Sequence, residues 1–172
     1  MKATDGTDGA DGADGMRVLI VGAAGQLGQA MVTRLKAEHA VTAWTRDDLD
    51  LTCHRDVRHK ILKLAPAAVI NCSGYNNVDR AEQDQETALS VNAFTVRSMA
   101  RVVAELDAVM LHYSSDFVFA GTATTPYSEE DRPEPQSVYA QSKLVGEWMA
   151  ADARQHYVLR VESLFGGPKR RT

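Results

Sequence analysis

The sequence predicts a doubly wound α/β fold built around a parallel β-sheet. Short apolar runs rich in β-branched residues alternate with longer stretches of helical periodicity, and a glycine-rich turn follows the first run. The runs are apolar throughout, as in strands that are buried on both faces. The resulting order, βαβαβαβαβ, calls for right-handed crossovers with helices on both faces of the sheet.

The first half of the pattern contains three strands and two helices. Residues 17–21 are an apolar run that ends at a glycine, and residues 26–38 carry apolar side chains at helical spacing, which predicts a strand and then a helix. Residues 41–44 predict a second strand and 54–64 a second helix, which Pro66 stops because proline cannot continue a helix. Residues 68–72 predict the third strand.

The second half contains two helices and two strands. Residues 86–106 have an apolar face from Leu89 to Val103, which predicts one long amphipathic helix. A fourth strand is predicted over 109–113, and a polar loop over 121–137 leads into a helix over 139–154. Residues 157–161 predict the last strand.

Length and composition favour a single globular domain. The chain has 172 residues, of which 44% are apolar and 24% charged. No apolar run approaches the roughly 18 residues of a membrane-spanning helix. Four of the 23 acidic and one of the 19 basic residues lie in the first 15 positions, so the remaining charges nearly cancel. We therefore expect neither a nucleic acid nor a membrane as a partner.

Both ends are predicted to lie outside the folded domain. Residues 4–15 repeat Asp-Gly every third position without the proline of collagen or the ligand spacing of an EF-hand, which predicts a flexible acidic tail over 1–15. The folded domain is predicted over 16–167, followed by a truncated connection over 168–172. Cys53 and Cys72 are interpreted as reduced thiols of a cytoplasmic protein, and no ligand cluster predicts a metal site.

The turn after the first strand predicts a dinucleotide site. Its glycines, Gly22, Gly25 and Gly28, have GxxGxxG spacing between a strand and a helix. Glycine permits the tight turn and the close approach of backbone to a pyrophosphate, which then rests on N–H groups at the helix N-terminus. The pattern predicts a NAD(P)-binding Rossmann fold.

Arg46 follows the second strand, where the adenosine ribose of such a cofactor would lie. A guanidinium can pair with a 2′-phosphate, which favours NADPH. Asp47 or Asp48 could instead bind the 2′-hydroxyl of NADH. We expect NADPH, with NADH as the alternative.

Tyr139 and Lys143 are four residues apart and therefore share one face of the predicted helix. A cation beside the phenol is expected to lower the pKa of Tyr139 and so ease proton exchange with a substrate oxygen. Ser114 and Ser115 lie at the carboxyl end of the fourth strand, the edge where open α/β sheets bind ligands. A hydroxyl there could hydrogen-bond a reacting carbonyl.

Taken in order, the glycine turn, the serine and the Tyr-Lys pair resemble the extended short-chain dehydrogenase/reductase family. Within it, five segments between residues 16 and 166 are similar to the dTDP-4-dehydrorhamnose reductase family. They are NCSGYNNVDRAE at 71–82, VNA at 91–93, SSDFVFAG at 114–121, PYSE at 126–129 and YAQSKLVGE at 139–147.

The resemblance implies a set of site residues. Ser115, Tyr139 and Lys143 would be catalytic, with Ser115 where the family usually has Thr. Asp50 and Leu51 would lie at the adenine. Two segments depart from the family: the turn after the third strand is usually an alanine run, and 161–165 lacks the usual Thr-Ser-Trp pattern. With Gly28 and Arg46 from the patterns above, the expected cofactor contacts are Gly22, Gly25, Gln26, Leu27, Gly28, Arg46, Asp50, Leu51, Cys72, Ser73, Tyr75, Tyr139 and Lys143.

The resemblance also implies a reaction, the NADPH-dependent reduction of a 4-keto sugar nucleotide such as dTDP-4-dehydrorhamnose, with Tyr139 as proton donor. Two alternatives stay open: a sugar-nucleotide epimerase or dehydratase that retains NAD, and a non-catalytic NADP-binding protein similar to the regulatory subunit of methionine adenosyltransferase. The implied partners are a sugar nucleotide and, as an option, a second copy in a homodimer. Family members continue into a C-terminal substrate-binding portion, which would be missing here. We therefore expect the 172-residue chain to bind cofactor weakly and to turn over little substrate.

Overall fold

A computed structural model describes residues 15–166, which form a five-stranded parallel sheet. The strands are β1 (Arg17–Val21), β2 (Ala40–Trp44), β3 (Ala68–Asn71), β4 (Val109–Ser115) and β5 (Gln155–Val161). Their order in the sheet is β2-β1-β3-β4-β5, with every pair parallel. The predicted fold class is confirmed. The predictions for residues 1–14 and 167–172 lie outside the described residues.

The helices connect the strands in the predicted alternation. They are α1 (Gln26–Leu35), α2 (His54–Leu64), α3 (Val78–Ala81), α4 (Gln85–Leu89), α5 (Thr95–Glu105) and α6 (Val138–Ala150). A π-helical turn over Ser90–Phe94 joins α4 to α5, and a 3-10 turn over Asp116–Val118 follows β4. The long helix predicted over 86–106 therefore contains a change of helical pitch, and α3 and the 3-10 turn were not predicted.

Alternate residues of β1 face two apolar cores on opposite sides of the sheet. Leu19 and Val21 belong to the larger core, which packs under α2, α5 and the end of α6. Val18 and Ile20 belong to a smaller core covered by α1. This alternation follows from the two-residue period of a strand, and it explains why β1 is apolar on both faces.

The path of the chain places a crevice at one edge of the sheet. From β1 the chain first adds β2 on one side, and it then returns past β1 to add β3, β4 and β5 on the other side. Right-handed crossovers therefore put α1 on one face and α2, α5 and α6 on the other. At such a reversal, the loops after the two diverging strands separate and leave a binding crevice at their carboxyl ends.

The described residues contain neither a membrane-spanning helix nor a cluster of metal ligands. No helix within 15–166 combines the length and apolar character needed to cross a bilayer. In the same part of the chain, no group of three or more His, Cys, Asp or Glu side chains is arranged to hold a metal ion. Cys53 and Cys72 are half-buried free thiols.

Candidate cofactor and active site

The glycine turn lies at the crevice and packs tightly against its surroundings. The N–H groups of Gly22 and Ala23 donate to the Trp44 carbonyl at 3.0 and 2.9 Å, which ties the turn to the end of β2. Gly22 has a φ of 81°, and a Cβ on it would lie 2.7 Å from the Ser73 nitrogen. A Cβ on Gly28 would lie 2.7 Å from the Ala23 Cα. Side chains at these two positions would therefore force the backbone apart.

The N-terminus of α1 offers backbone donors to an anion. Helical hydrogen bonding begins with the N–H of Gln29, which donates to the Gly25 carbonyl at 2.9 Å. Within residues 15–166, the N–H groups of Gln26, Leu27 and Gly28 have no backbone acceptor, and the first turn carries no acidic side chain. Unpaired donors at the positive end of a helix dipole suit a pyrophosphate. The residues present therefore fit the dinucleotide predicted from the sequence.

Gln26 also contacts the segment that follows β5. Its Nε2 donates to the carbonyls of Leu164 and Gly166 at 3.2 and 3.0 Å. This segment includes the residues that depart from the family's Thr-Ser-Trp pattern. The residues that differ from the family pattern therefore lie beside the start of α1, next to the predicted cofactor site.

Arg46 is exposed in the turn that follows β2. Among the residues that the structure describes, no partner forms a hydrogen bond or ion pair with its guanidinium. The carboxylate of Asp48 accepts hydrogen bonds from the N–H and the hydroxyl of Thr45, both at 2.8 Å, and these bonds lower the pKa of Asp48. Because the Asp48 carboxylate already accepts two hydrogen bonds from Thr45, Arg46 and Asp47 remain as candidates for contact with a ribose.

Asp50 and Leu51 lie just before α2. The Oδ1 of Asp50 accepts hydrogen bonds from the hydroxyl and the N–H of Thr52 at 2.8 and 2.9 Å, and these bonds lower the pKa of Asp50. Leu51 packs against the larger core, and its carbonyl accepts a hydrogen bond from the Thr95 hydroxyl. The predicted adenine segment is thus held between α2 and α5.

The turn after β3 contains Cys72, Ser73 and Tyr75. Asn71, the last residue of β3, accepts hydrogen bonds from the N–H of Ser73 at 3.1 Å and from its hydroxyl. The N–H of Cys72 donates to the Val21 carbonyl at 2.9 Å, which sets this turn beside the glycine turn. Burial raises the pKa of the Cys72 thiol to about 12, so the thiol stays protonated.

Ser115 and Tyr139 meet where β4 approaches the start of α6. Ser115 is the buried last residue of β4, and its Oγ accepts the Phe117 N–H at 3.2 Å. Tyr139 lies in the first turn of α6, which the Ser137 side chain caps by accepting the Ala140 N–H at 3.2 Å. The cap and the strand end therefore fix the backbone that carries the two hydroxyls.

Lys143 is buried one helical turn after Tyr139, with 4% of its surface exposed. Its Nζ donates to the Tyr113 carbonyl of β4 at 2.6 Å. Burial lowers the pKa of Lys143 to about 8, and the charge of Glu147 opposes this shift. The ammonium is therefore attached to β4 through one of its three hydrogens.

The pKa of Tyr139 is raised, which is opposite to the direction expected from the sequence. Burial of the phenol raises the pKa most, interaction with the Ser115 hydroxyl lowers it, and the charge of Asp116 raises it. The neighbouring ammonium of Lys143 is bonded to β4 instead. Desolvation therefore outweighs the expected effect of a nearby cation.

Asn92 is a site residue that the sequence analysis placed only within a family segment. It is buried in the π-helical turn, where its Oδ1 accepts the Tyr75 N–H at 2.8 Å and its Nδ2 donates to the Ser142 hydroxyl at 2.9 Å. The Ser142 hydroxyl in turn donates to the Tyr139 carbonyl at 2.7 Å. Asn92 thus ties the turn after β3 to the helix that carries Tyr139. The sequence carried one sign of this contact, a glycine, Gly146, inside a predicted helix. The structure gives the reason for it: a Cβ at Gly146 would collide with the Asn92 carbonyl.

An ion pair between a buried carboxylate and a partly exposed guanidinium links the same helix to the sheet. Glu147 on α6 is 9% exposed and accepts hydrogen bonds from Arg160 of β5, at 3.0 and 2.7 Å, and from Ser114 of β4, at 2.5 Å. The Arg160 guanidinium lies 4.8 Å from the centroid of the Phe119 ring, which stacks on Tyr127. The pair therefore connects α6, β4, β5 and the loop after β4.

A cleft of about 370 Å³ lies between the loop after β4 and the segment that leads into α6, and neither Ser115 nor Tyr139 is among its lining residues. Its lining includes Asp116, Phe117 and Gln136, and Phe117 meets the ring of Tyr139 edge to face with 5.9 Å between the centroids. Mixed aromatic and polar walls suit a ligand that has both apolar faces and hydroxyl groups.

The structure thus places all predicted site residues along the carboxyl edge of the sheet. The glycine turn and the turn after β3 are in direct contact through Gly22 and Ser73. The Ser115 hydroxyl donates to Oδ1 of Asp116 at 3.1 Å, close enough to Tyr139 to affect the pKa of the phenol, and Arg46 and Asp50 follow β2 in the chain. Their individual roles stay predictions.

Comparison with known proteins gives one family and a consistent set of relatives. The model of the family described as RmlD substrate binding domain matches residues 16–171. The chain is 34% identical over 150 residues to dTDP-4-dehydrorhamnose reductase of Sinorhizobium fredii, covering 87% of this chain and 51% of that protein. It is 39% identical over 153 residues to a probable dTDP-4,6-dihydroxy-2-methyloxan-3-one 4-ketoreductase of Streptomyces antibioticus, covering 87% and 52%.

Solved structures agree with this result. The crystal structure of dTDP-4-dehydrorhamnose reductase from Bacillus anthracis in complex with NADP has a TM-score of 0.86 and 29% identity, and the match covers 91% of this chain and 56% of that one. The chain spans about half the length of the curated relatives it matches. This coverage agrees with the expectation that the relatives continue into a further portion.

Proposed function

The chain belongs to the family described as RmlD substrate binding domain, and from that premise we propose that it serves the NADPH-dependent reduction of a 4-keto sugar nucleotide. The substrate would be of the dTDP-4-dehydrorhamnose type, and NADH is the alternative reductant. One observation carries the proposal: the anion-binding start of α1 and the Ser115, Tyr139 and Lys143 set lie at the same edge of the sheet. A location in the cytoplasm and a homodimer are further expectations of the same proposal.

The cofactor would be held through backbone as much as through side chains. The N–H groups of Gln26, Leu27 and Gly28 would bind its pyrophosphate, and Arg46 would meet the 2′-phosphate. The similarity to a reductase solved in complex with NADP supports this placement. When bound, NADPH supplies a hydride.

The phenol of Tyr139 would deliver the proton that the reduced carbonyl oxygen needs. A raised pKa keeps this phenol protonated at neutral pH, which is the state a proton donor requires. The Ser115 hydroxyl, which donates to the Asp116 carboxylate at 3.1 Å in this structure, would turn its hydrogen to the same oxygen and stabilise the negative charge that develops there.

Lys143 would act on the cofactor side of the site. Its ammonium donates one hydrogen bond to the Tyr113 carbonyl, and its two other hydrogens could be donated to ribose hydroxyls of the cofactor. Because Lys143 is buried, its position is set by β4 and α6 rather than by solvent.

The proposal is tested by replacing Tyr139 with phenylalanine. NADPH consumption and the nucleotide-sugar product are measured together under single-turnover conditions with dTDP-4-dehydrorhamnose. We expect Tyr139→Phe to lower the rate at least about 100-fold, because a general acid is lost, while NADPH affinity changes little. Tyr157→Phe, at an exposed position on β5, is the matched control.

Three results would overturn the proposal. A rate near that of the unaltered chain in Tyr139→Phe would remove Tyr139 as the proton donor. Product formed without NADPH consumption would favour an epimerase or dehydratase. Tight NADP binding with no ketone reduction would favour a regulatory protein.

A further inference from the structure

The turn after β2 is closed by its own side chains. Asp48 reaches back to the N–H and hydroxyl of Thr45, while the Thr45 hydroxyl accepts the Asp47 N–H at 3.3 Å and the Thr45 carbonyl accepts the Leu49 N–H at 3.2 Å. Such reciprocal bonding fixes the backbone from both ends, as in a capping box. The exposed Arg46 therefore stands on a defined turn rather than on a loose loop.

Lys60 of α2 fastens this turn to the body of the domain. Its Nζ donates to the Asp48 carbonyl. The neighbouring side chains Val57 and Ile61 are completely buried in the larger core. The ammonium therefore extends from a helix that is held in place by packing.

Lys60 offsets part of the acidic charge around the turn. Arg46 and Lys60 carry positive charges, and Asp47, Asp48 and Asp50 carry negative ones, a balance of 2 − 3 = −1. Without Lys60 the balance would be 1 − 3 = −2. A phosphate monoester, itself a dianion or close to one at neutral pH, would then be repelled more strongly.

We propose that Lys60 is a positioning residue for the recognition of the NADPH 2′-phosphate. It holds the Asp48 carbonyl, keeps the turn in the shape that presents Arg46, and offsets the acidic charge beside the phosphate. This inference rests on the proposed function and names the residue, beyond Arg46, that sets its preference for NADPH over NADH.

The test measures binding rather than turnover. NADPH and NADH are titrated into the full chain by calorimetry at low and at physiological salt, using Lys60→Met, Lys60→Arg and Lys63→Met. Lys63 is an exposed lysine on the same helix, so its replacement controls for the loss of one positive charge. Urea unfolding of each variant checks that the fold is intact.

We expect Lys60→Met to weaken NADPH binding about three- to tenfold at low salt, as for a nearby charge in a solvated site. NADH binding should change less than about twofold, because NADH has no 2′-phosphate. Lys60→Arg should retain most of the NADPH affinity, and Lys63→Met should behave like the unaltered chain.

Equal losses for NADPH and NADH, or an unchanged NADPH affinity in Lys60→Met, would overturn this role. If the unaltered chain bound neither cofactor, the proposed function would fail before any variant was compared, so the two failures are distinguishable.

Discussion

Replacing Arg160 with methionine should destabilise the domain strongly, because it leaves a buried carboxylate without its partner. The Glu147 side chain is 8% exposed and that of Arg160 is 25% exposed, with a closest N–O distance of 2.7 Å. Methionine preserves most of the length and apolar contact of the arginine stem but none of its hydrogen bonds. Ser114 would remain as the only described partner of Glu147.

The expected cost follows from the burial of the pair. Removal of one member of a fully buried ion pair costs about 3–5 kcal/mol, since the remaining charge is desolvated without compensation. Because a quarter of the Arg160 side chain is exposed, water would relieve part of this cost, and we expect about 2–3 kcal/mol. The double variant Arg160→Met with Glu147→Gln should recover part of the loss, because it leaves no unpaired carboxylate at this position, although Lys143 loses the charge of Glu147.

Urea unfolding followed by circular dichroism gives the free energy of unfolding for each variant. Arg101→Met is the matched control: Arg101 pairs with Asp152 at 3.0 Å, but its side chain is 56% exposed. Such surface pairs contribute about 0–1 kcal/mol. A loss in Arg160→Met no larger than that in Arg101→Met would refute the view that this pair supports α6.

Three further variants test the buried groups and the glycine turn. Burial, helped by the charge of Lys143, lowers the pKa of His112 to about 3. The unfolded state therefore binds a proton near pH 6.5 that the folded state does not. The free energy of unfolding should fall by up to about 5 kcal/mol as the pH drops from the ordinary histidine pKa of about 6.5 to the lowered value of about 3. In urea titrations, His112→Gln should make this fall smaller. Burial lowers the pKa of Lys143 to about 8, so stability should rise by about 3 kcal/mol between pH 8 and the usual lysine pKa near 10.5, a rise that Lys143→Met should abolish. Gly28→Ala should cost about 1–3 kcal/mol of stability and weaken NADPH binding, because its methyl group would press on the Gly22 carbonyl and Ala23; unchanged calorimetry would contradict this.

Much of the fold follows from patterns that are local in sequence. The strand over Arg17–Val21 and the helix over His54–Leu64 have the bounds predicted, because an apolar run ending at glycine and a helix ending before Pro66 carry their own signals. The first helix ends at Leu35 rather than residue 38, since the chain must turn there to pair β2 with β1. Periodicity alone does not mark that turn.

The parts of the site that were not predicted depend on contacts between distant segments. Asn92 is separated from Ser142 by 50 residues. The π-helical turn that orients the Asn92 side chain inserts one extra residue into an otherwise regular amphipathic helix, and the apolar periodicity does not reveal it. The motif placed Lys143 near Tyr139 correctly along α6. It could not show that the ammonium bonds to β4 or that burial would dominate the pKa of the phenol, because both depend on the packing of α6 against the sheet.

The central claim is that the carboxyl edge of this sheet binds NADPH, and calorimetric titration of the chain tests it most directly. We predict saturable binding at one site per chain, tighter for NADPH than for NADH, with the preference lost in Arg46→Met. Absence of saturable binding of either cofactor, or a preference for NADPH that survives Arg46→Met, would contradict it.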